Sequence, residues 1–128
     1  MSSATMMSRV LAADLAGPQF SKAHEYSCIA MGAATPLAII ASKDGFLQRV
    51  ADFGMLFAIP VHMHVGMCSC ITDYLPKVAK GPARMGMLGM SAVTFIGLLK
   101  INTTGQGITQ TVKSLWHRPA KPVPAPAK

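Results

Sequence analysis

The sequence predicts an all-α membrane protein, with three transmembrane helices followed by a short C-terminal interfacial amphipathic helix. Hydrophobic residues make up 51% of the 128-residue chain and charged residues only 13%, against about 25% charged in an ordinary soluble domain. The apolar residues gather in three uncharged runs, and most charges fall at the edges of those runs or in the tail. The mean hydropathy is positive, at +0.38.

Taken in order, residues 1–22 are small and polar, with Arg9, Lys22 and Asp14 and only weak amphipathicity from Met6, Met7, Val10 and Leu11. They read as a mobile or partner-bound N-terminal arm; one Arg in so long a stretch makes a thin targeting signal. The first apolar run, 26–42, has 17 residues without a formal charge; the second, 53–72, has 20; the third, 85–99, has 15. A membrane helix needs roughly 20 apolar residues. The middle run meets that length outright. The first meets it with His24 and Glu25 at the interface. The third meets it if Arg84 and Lys100 snorkel to the headgroups, and 101–112 adds no charge that would stop the helix. Lys43-Asp44-Gly45 reads as a turn, and 76–82, with Pro at both ends, reads as the connector before the third helix. Ile108, Val112, Leu115 and Trp116 recur at helical spacing, an interfacial pattern over 105–117. The Pro/Ala/Lys residues 118–128 read as a flexible tail. One anchor domain, 23–104, therefore lies between an arm and an interfacial helix.

The net charge of +7 raises nucleic acid as a partner, but there is no basic helix face and no interleaving of basic and aromatic residues. Lipid phosphate is the expected counter-charge. Cys28, Cys68 and Cys70 give an odd count with no disulfide or zinc spacing and read as small apolar residues. Loop charges fall on both sides of a three-span topology, so the positive-inside rule does not orient the chain.

The chemistry-bearing stretch is Val61-His62-Met63-His64-Val65-Gly66, followed by Ile71-Thr72-Asp73-Tyr74. Two imidazoles near the middle of the best spanning run are costly in lipid and point to function; the alternative is a neutral histidine hydrogen-bonded to a neighbouring helix. His62 and His64 lie roughly 200° apart on a helix, so one helix face cannot present both to one metal. Gly66 follows His62 by four residues, about 40° off the same face, and leaves the bare backbone a porphyrin would need. His64 has Cys68 at that position. His62 is thus the better axial ligand for haem iron, with Gly66 packing the ring. His24 and His117 sit near helix ends, so a second axial histidine is expected from a partner chain. Asp73 lies about 20° from the His62 face and about 16 Å along the axis, with Tyr74 beside it. A phenol and an acid at a membrane boundary suit quinone chemistry; equally, Tyr belongs in an interfacial aromatic belt.

The spacing H-x-H-x-G-x6-D-Y, here His62 to Tyr74, resembles the succinate dehydrogenase small cytochrome b subunit family. Ser91-Ala92-Val93-Thr94-Phe95-Ile96-Gly97-Leu98 is similar to that family's third helix. Asn102, Gly107-Ile108 and Ser114-Leu115-Trp116 are similar to its C-terminal segment, with weaker likeness at Ser21-Lys22 and Pro36. The sequence departs from the pattern at Val65, at Met67-Cys68-Ser69-Cys70 and in the tail. The resemblance implies a three-helix membrane anchor of respiratory complex II in the mitochondrial inner membrane, multi-pass, with its N-terminus facing the matrix. It implies a large cytochrome b anchor subunit, an iron–sulfur subunit and a flavoprotein subunit as partners, and membrane lipids, with cardiolipin a candidate. It implies haem b on His62 and ubiquinone at Tyr74 and Asp73. Lys77, Lys80 and Arg84 would face the iron–sulfur subunit or lipid phosphate. The chain has no flavin or dinucleotide fingerprint and no iron–sulfur cysteine set, so dicarboxylate chemistry would belong to the partners. Two other readings stay open: a b-type cytochrome anchor of another oxidoreductase, and a non-enzymatic membrane scaffold.

Overall fold

The computed structural model of the chain describes residues 3–43 and 45–116, and among them every regular element is helical. A short helix α1 (Ser3–Leu11) and a 3-10 turn (Ala13–Leu15) lead into three long helices, α2 (Pro18–Ile40), α3 (Phe46–Tyr74) and α4 (Lys77–Thr104), and a short α5 (Ile108–Ser114). Pro18 stands at the start of α2, where its missing N–H costs nothing and its fixed φ suits the first turn. Pro36 and Pro60 lie inside unbroken helices.

α3 is the central element and packs against both α2 and α4. At 29 residues it is about 43 Å long, more than the roughly 30 Å hydrocarbon layer. α3 and α4 are both long and apolar enough to cross a membrane. α2 has the length, at 23 residues, but is less apolar because its first turns hold Lys22, His24 and Glu25. The outer faces of all three carry exposed large apolar side chains, among them Ile29, Phe53, Phe57, Met90, Val93 and Ile96. So large an apolar exterior suits lipid or another membrane chain rather than water.

The contact between α2 and α3 is built from small residues. Ala34 and Ala38 of α2 meet Ala51, Met55 and Leu56 of α3, and Ile108 closes that cluster. Small side chains let backbones approach closely where no hydrophobic driving force separates helix from lipid. A second cluster, Ala13, Val65 and Cys68 with Phe20, lies near the other end of α3.

Three sequence expectations change. The arm does not stand free: its Ala13 is buried at 1% exposure and its Val10 and Asp14 bond to α3. The connector expected over 76–82 is already helix from Lys77, because Pro76 ends the extended link and caps α4; Pro82 removes only one intrahelical bond near the helix start. The amphipathic segment 105–117 is helical only over Ile108–Ser114, and its apolar positions divide. Ile108 is buried, whereas Val112, Leu115 and Trp116 are exposed. His117 and the tail 118–128 lie outside the described residues.

A buried polar cluster on α3 docks α5. The Asp52 carboxylate, 4% exposed, accepts from the backbone N–H of Thr109 at 2.9 Å and from its hydroxyl. Asn102 donates to the Asp52 carbonyl at 2.9 Å and accepts from the Ile108 N–H at 3.1 Å. Gln110 donates to buried Gln48 at 2.9 Å. Lys113 donates to the carbonyls of Ala38 and Ile39 at 3.3 and 3.2 Å, capping the C-terminal end of α2. Gly107 starts α5 at φ +86, and a Cβ there would collide with the Asp52 carboxylate. Gly107→Ala is therefore expected to cost about 1–3 kcal/mol, read as a lower thermal unfolding midpoint in mild detergent. An unchanged midpoint would rule out this docking.

Candidate functional site

The two histidines of α3 part company in the structure, as their angular separation requires. His64 is buried, with both ring nitrogens engaged: Nε2 lies 2.8 Å from the Val10 carbonyl and Nδ1 lies 3.0 Å from Ser91 Oγ. A carbonyl can only accept, so Nε2 carries a proton toward Val10. Ser91 Oγ also lies 2.9 Å from the Met87 carbonyl, so its one hydroxyl proton serves either that carbonyl or Nδ1. His64 is thereby a structural histidine joining α1, α3 and α4.

His62 faces α2 instead. Its Nδ1 lies 3.3 Å from Cys28 Sγ, a weak partner, and no other hydrogen bond reaches the ring among the described residues. His24, which its place near a helix end would set aside, is the ring nearest to His62: the two stack with centroids 4.6 Å apart and planes 17° apart. Its Nδ1 lies 3.9 Å from the same sulfur. Lone pairs of imidazole lie in the ring plane, so two rings stacked face to face cannot act as opposed axial ligands of one porphyrin iron. Gly66 shares the His62 face. A Cβ built there would meet His24 Nε2 at 3.6 Å, an ordinary contact, so the packing of this chain does not itself demand a glycine.

Tyr74 ends α3 at 83% exposure, and Asp73 beside it is also exposed. Neither side chain has a hydrogen-bond partner among the described residues. Directly behind them, Thr72 is the centre of a polar clamp. Its hydroxyl bonds to the Asp14 carboxylate, Arg84 Nη2 donates to that hydroxyl at 2.8 Å, and Lys80 donates to the Thr72 carbonyl at 2.6 Å. Arg84 and Asp14 form an ion pair at 3.4 Å, with side chains 17% and 6% exposed, while Arg84 Nε is buried without a partner. Arg84 thus turns inward to the arm and not, as its loop position led us to expect, out toward a partner or lipid. Lys77 is exposed. The structure therefore brings together His62 and Gly66, and separately Asp73 and Tyr74. It adds His24, Cys28, Thr72, Asp14 and Arg84. Of these, only the four-residue step from His24 to Cys28 leaves a local trace in the sequence.

The family model for the succinate dehydrogenase cytochrome b small subunit matches residues 5–117. The chain is similar to the mitochondrial succinate dehydrogenase [ubiquinone] cytochrome b small subunit of Mus musculus, at 39% identity over 56% of this chain and 47% of that protein. It is similar to the same subunit of Schizosaccharomyces pombe, at 28% identity over 77% of this chain and 68% of that protein. The Homo sapiens subunit matches at 36% over 51% of this chain and 42% of its own length. The chain spans about half the length of the mammalian relatives it matches. No solved structure matches.

The clamp at Thr72 makes a direct test of how the arm is held. Arg84→Ala leaves a buried carboxylate without its cation, a change that costs about 3–5 kcal/mol for a buried pair. In a double-mutant cycle with Asp14→Ala, unfolding in detergent should return a coupling of about 1–3 kcal/mol. Additive losses would mean that the two side chains do not act on one another.

Proposed function

Since the chain belongs to the succinate dehydrogenase cytochrome b small subunit family, we propose that it anchors a succinate:ubiquinone oxidoreductase in the mitochondrial inner membrane, holding haem b at His62 and ubiquinone at Tyr74. α2, α3 and α4 each cross the bilayer in this reading, with the N-terminus and Tyr74 on the matrix side and Trp116 in the opposite interface. A large cytochrome b subunit, an iron–sulfur subunit and a flavoprotein subunit complete the enzyme. Succinate oxidation belongs to those partners, and this chain supplies the membrane end of the electron path.

The observation that carries the reading is the contrast between the two histidines of α3. His64 is fully satisfied inside the chain. His62 engages only a thiol, through Nδ1, and keeps Nε2 for a ligand outside. The residues fit a porphyrin in donor chemistry. The Cys28 sulfur lies 3.3 Å from Nδ1; when it accepts from an Nδ1–H, Nε2 keeps the lone pair that binds iron, the arrangement outer partners of ligating histidines support. Gly66 shares the His62 face, now covered by the His24 ring, and a porphyrin there would take the place of that ring. When bound, haem b supplies reversible one-electron storage. His62 would hold the haem iron, and a second ligand would come from the partner anchor subunit.

At the membrane boundary, the Tyr74 hydroxyl donates a hydrogen bond to a quinone carbonyl, and Asp73 relays protons from water. Reduction to the quinol takes two electrons from the partner centres and two protons. Both side chains are exposed and without partners among the described residues, as a surface completed by another subunit and a mobile carrier requires. The Arg84–Thr72–Asp14 clamp fixes the last turn of α3 from behind and so positions Tyr74.

Purification of the intact assembly from mild detergent tests the reading at its root: a flavin-bearing subunit and a b-type spectrum should travel with this chain, and absence of the flavoprotein would exclude complex II. Within the assembly, His62→Ala is expected to abolish most of the b-type absorption. His64→Ala should retain it and lower the thermal midpoint, because Val10 and Ser91 lose a buried partner. Equal spectral loss in both variants would remove His62 from its special role. Tyr74→Phe is expected to slow quinone reduction by about three- to tenfold, the size of one hydrogen bond, while succinate oxidation by an artificial dye continues. Unchanged quinone turnover would take Tyr74 out of the site.

A further inference from the structure

The His62 neighbourhood holds a second set of donors. His24 and Cys28 lie one turn apart on α2, about 40° apart around the helix, and the face they share meets α3 at His62. One donor atom from each of His24, Cys28 and His62 lies within 4.8 Å of the other two. The sulfur is 3.3 Å from His62 Nδ1 and 3.9 Å from His24 Nδ1. A tetrahedral zinc ion, with Zn–S near 2.3 Å and Zn–N near 2.0–2.1 Å, holds such atoms roughly 3.3–3.6 Å apart. The Cys28–His62 pair already has that separation. The others need to close by no more than about 1.5 Å, with the stacked rings splaying so that their in-plane lone pairs converge.

Hydrogen bonding separates this cluster from ordinary packing. Both nitrogens of His64 have strong oxygen partners. The four ring nitrogens of His24 and His62 have only one thiol between them among the described residues. Polar groups left this poorly satisfied in an apolar helix pair are costly, and a metal ion would engage one nitrogen of each ring at once. Two imidazoles and a thiolate are a borderline-to-soft ligand set, suited to zinc and not to calcium or magnesium. Binding releases the Cys28 thiol proton, as metal binding to a thiol does.

We propose that the haem-free chain binds one divalent ion of the zinc class through His24, Cys28 and His62, with the fourth position open. The site goes beyond the haem reading and does not need it; the two share His62, so metal and porphyrin exclude one another there.

The test uses the full chain in mild detergent, reduced and without haem, titrated with Co2+ and then Zn2+. A thiolate-to-cobalt charge-transfer band with tetrahedral visible bands is expected at one ion per chain and is bleached by Zn2+. Cys28→Ser should lose the charge-transfer band. His24→Ala and His62→Ala should each weaken cobalt binding at least about tenfold, the lower range for even an outer-shell change. Cys70→Ser should keep the full spectrum, with circular dichroism confirming equal helix content in all variants. No thiolate band, or one that survives Cys28→Ser, overturns the site. The haem reading is tested separately in the intact assembly. An assembly with His62-dependent b-type absorption beside a free chain with no thiolate band refutes only the metal site. A free chain with the thiolate band beside an intact assembly with no b-type absorption refutes only the haem reading.

Discussion

A polar side chain on a helix surrounded by hydrocarbon has to find its partner inside the protein, and that constraint organises this chain. α3 carries polar residues on both sides of the apolar stretch 53–61, and Gln48, Asp52, His62, His64 and Thr72 each reach another element. Asp52 and Gln48 hold α5. His62 meets Cys28 on α2. His64 joins α4 through Ser91 and the arm through Val10. Thr72 binds Asp14 of the arm and Arg84 of α4. The apolar contacts, alanines of α2 and α3 together with Met55, Leu56 and Ile108, bring the helices together. The polar staples fix which turn of one helix faces which turn of the next.

Their energetics favour specificity over gross stability. A satisfied buried hydrogen bond contributes only about 0.5–1.5 kcal/mol net, whereas a group left without its partner costs about 1–3 kcal/mol. Each staple therefore adds little when made and penalises every misdocked arrangement. The Arg84–Asp14 pair shows the same asymmetry with charge. Desolvation of both ions offsets much of their attraction, yet a free arm would leave Arg84 facing apolar surroundings. An N-terminal segment with weak amphipathicity of its own is held by those penalties.

The parts legible in the sequence were those that a single helix encodes. Uncharged run lengths located the three long helices, and the 100° step separated His62 from His64 and placed Gly66 with His62. What remained hidden was pairing across the chain. Asp52 with Thr109 and Asp14 with Thr72 join residues 57 and 58 positions apart, and no local pattern names such partners. Arg84 looked like a snorkelling boundary charge because its acid lies 70 residues away. His24 looked peripheral because nearness to a helix end says nothing about which turn of the neighbour it meets. The interfacial helix was misjudged in extent for the same reason: Ile108 belongs to the apolar period but is claimed by the Asp52 dock, which leaves Val112, Leu115 and Trp116 to the outer surface.

Where the rule of internal satisfaction fails, the chain is open to something outside it. Among the described residues two places on α3 and its α2 neighbour fail it: the His62–His24 stack with its single thiol, and the exposed Asp73-Tyr74 end. The first lies midway along α3 and the second terminates the same helix. An incidental lapse in packing would scatter such sites, since nothing would tie them to one another. Their alignment on the helix that every other element is stapled to means that rigidity and incompleteness have been put in the same place. A rigid helix with unfilled positions can hold two external groups at a fixed separation along its axis, whereas a flexible one could not. Fixed separation is what electron transfer between a bound centre and a mobile carrier requires, because the rate depends on distance and not on contact area. In the proposed reading, the staples at Thr72, His64 and Asp52 hold in register the one helix that carries both His62 and Tyr74.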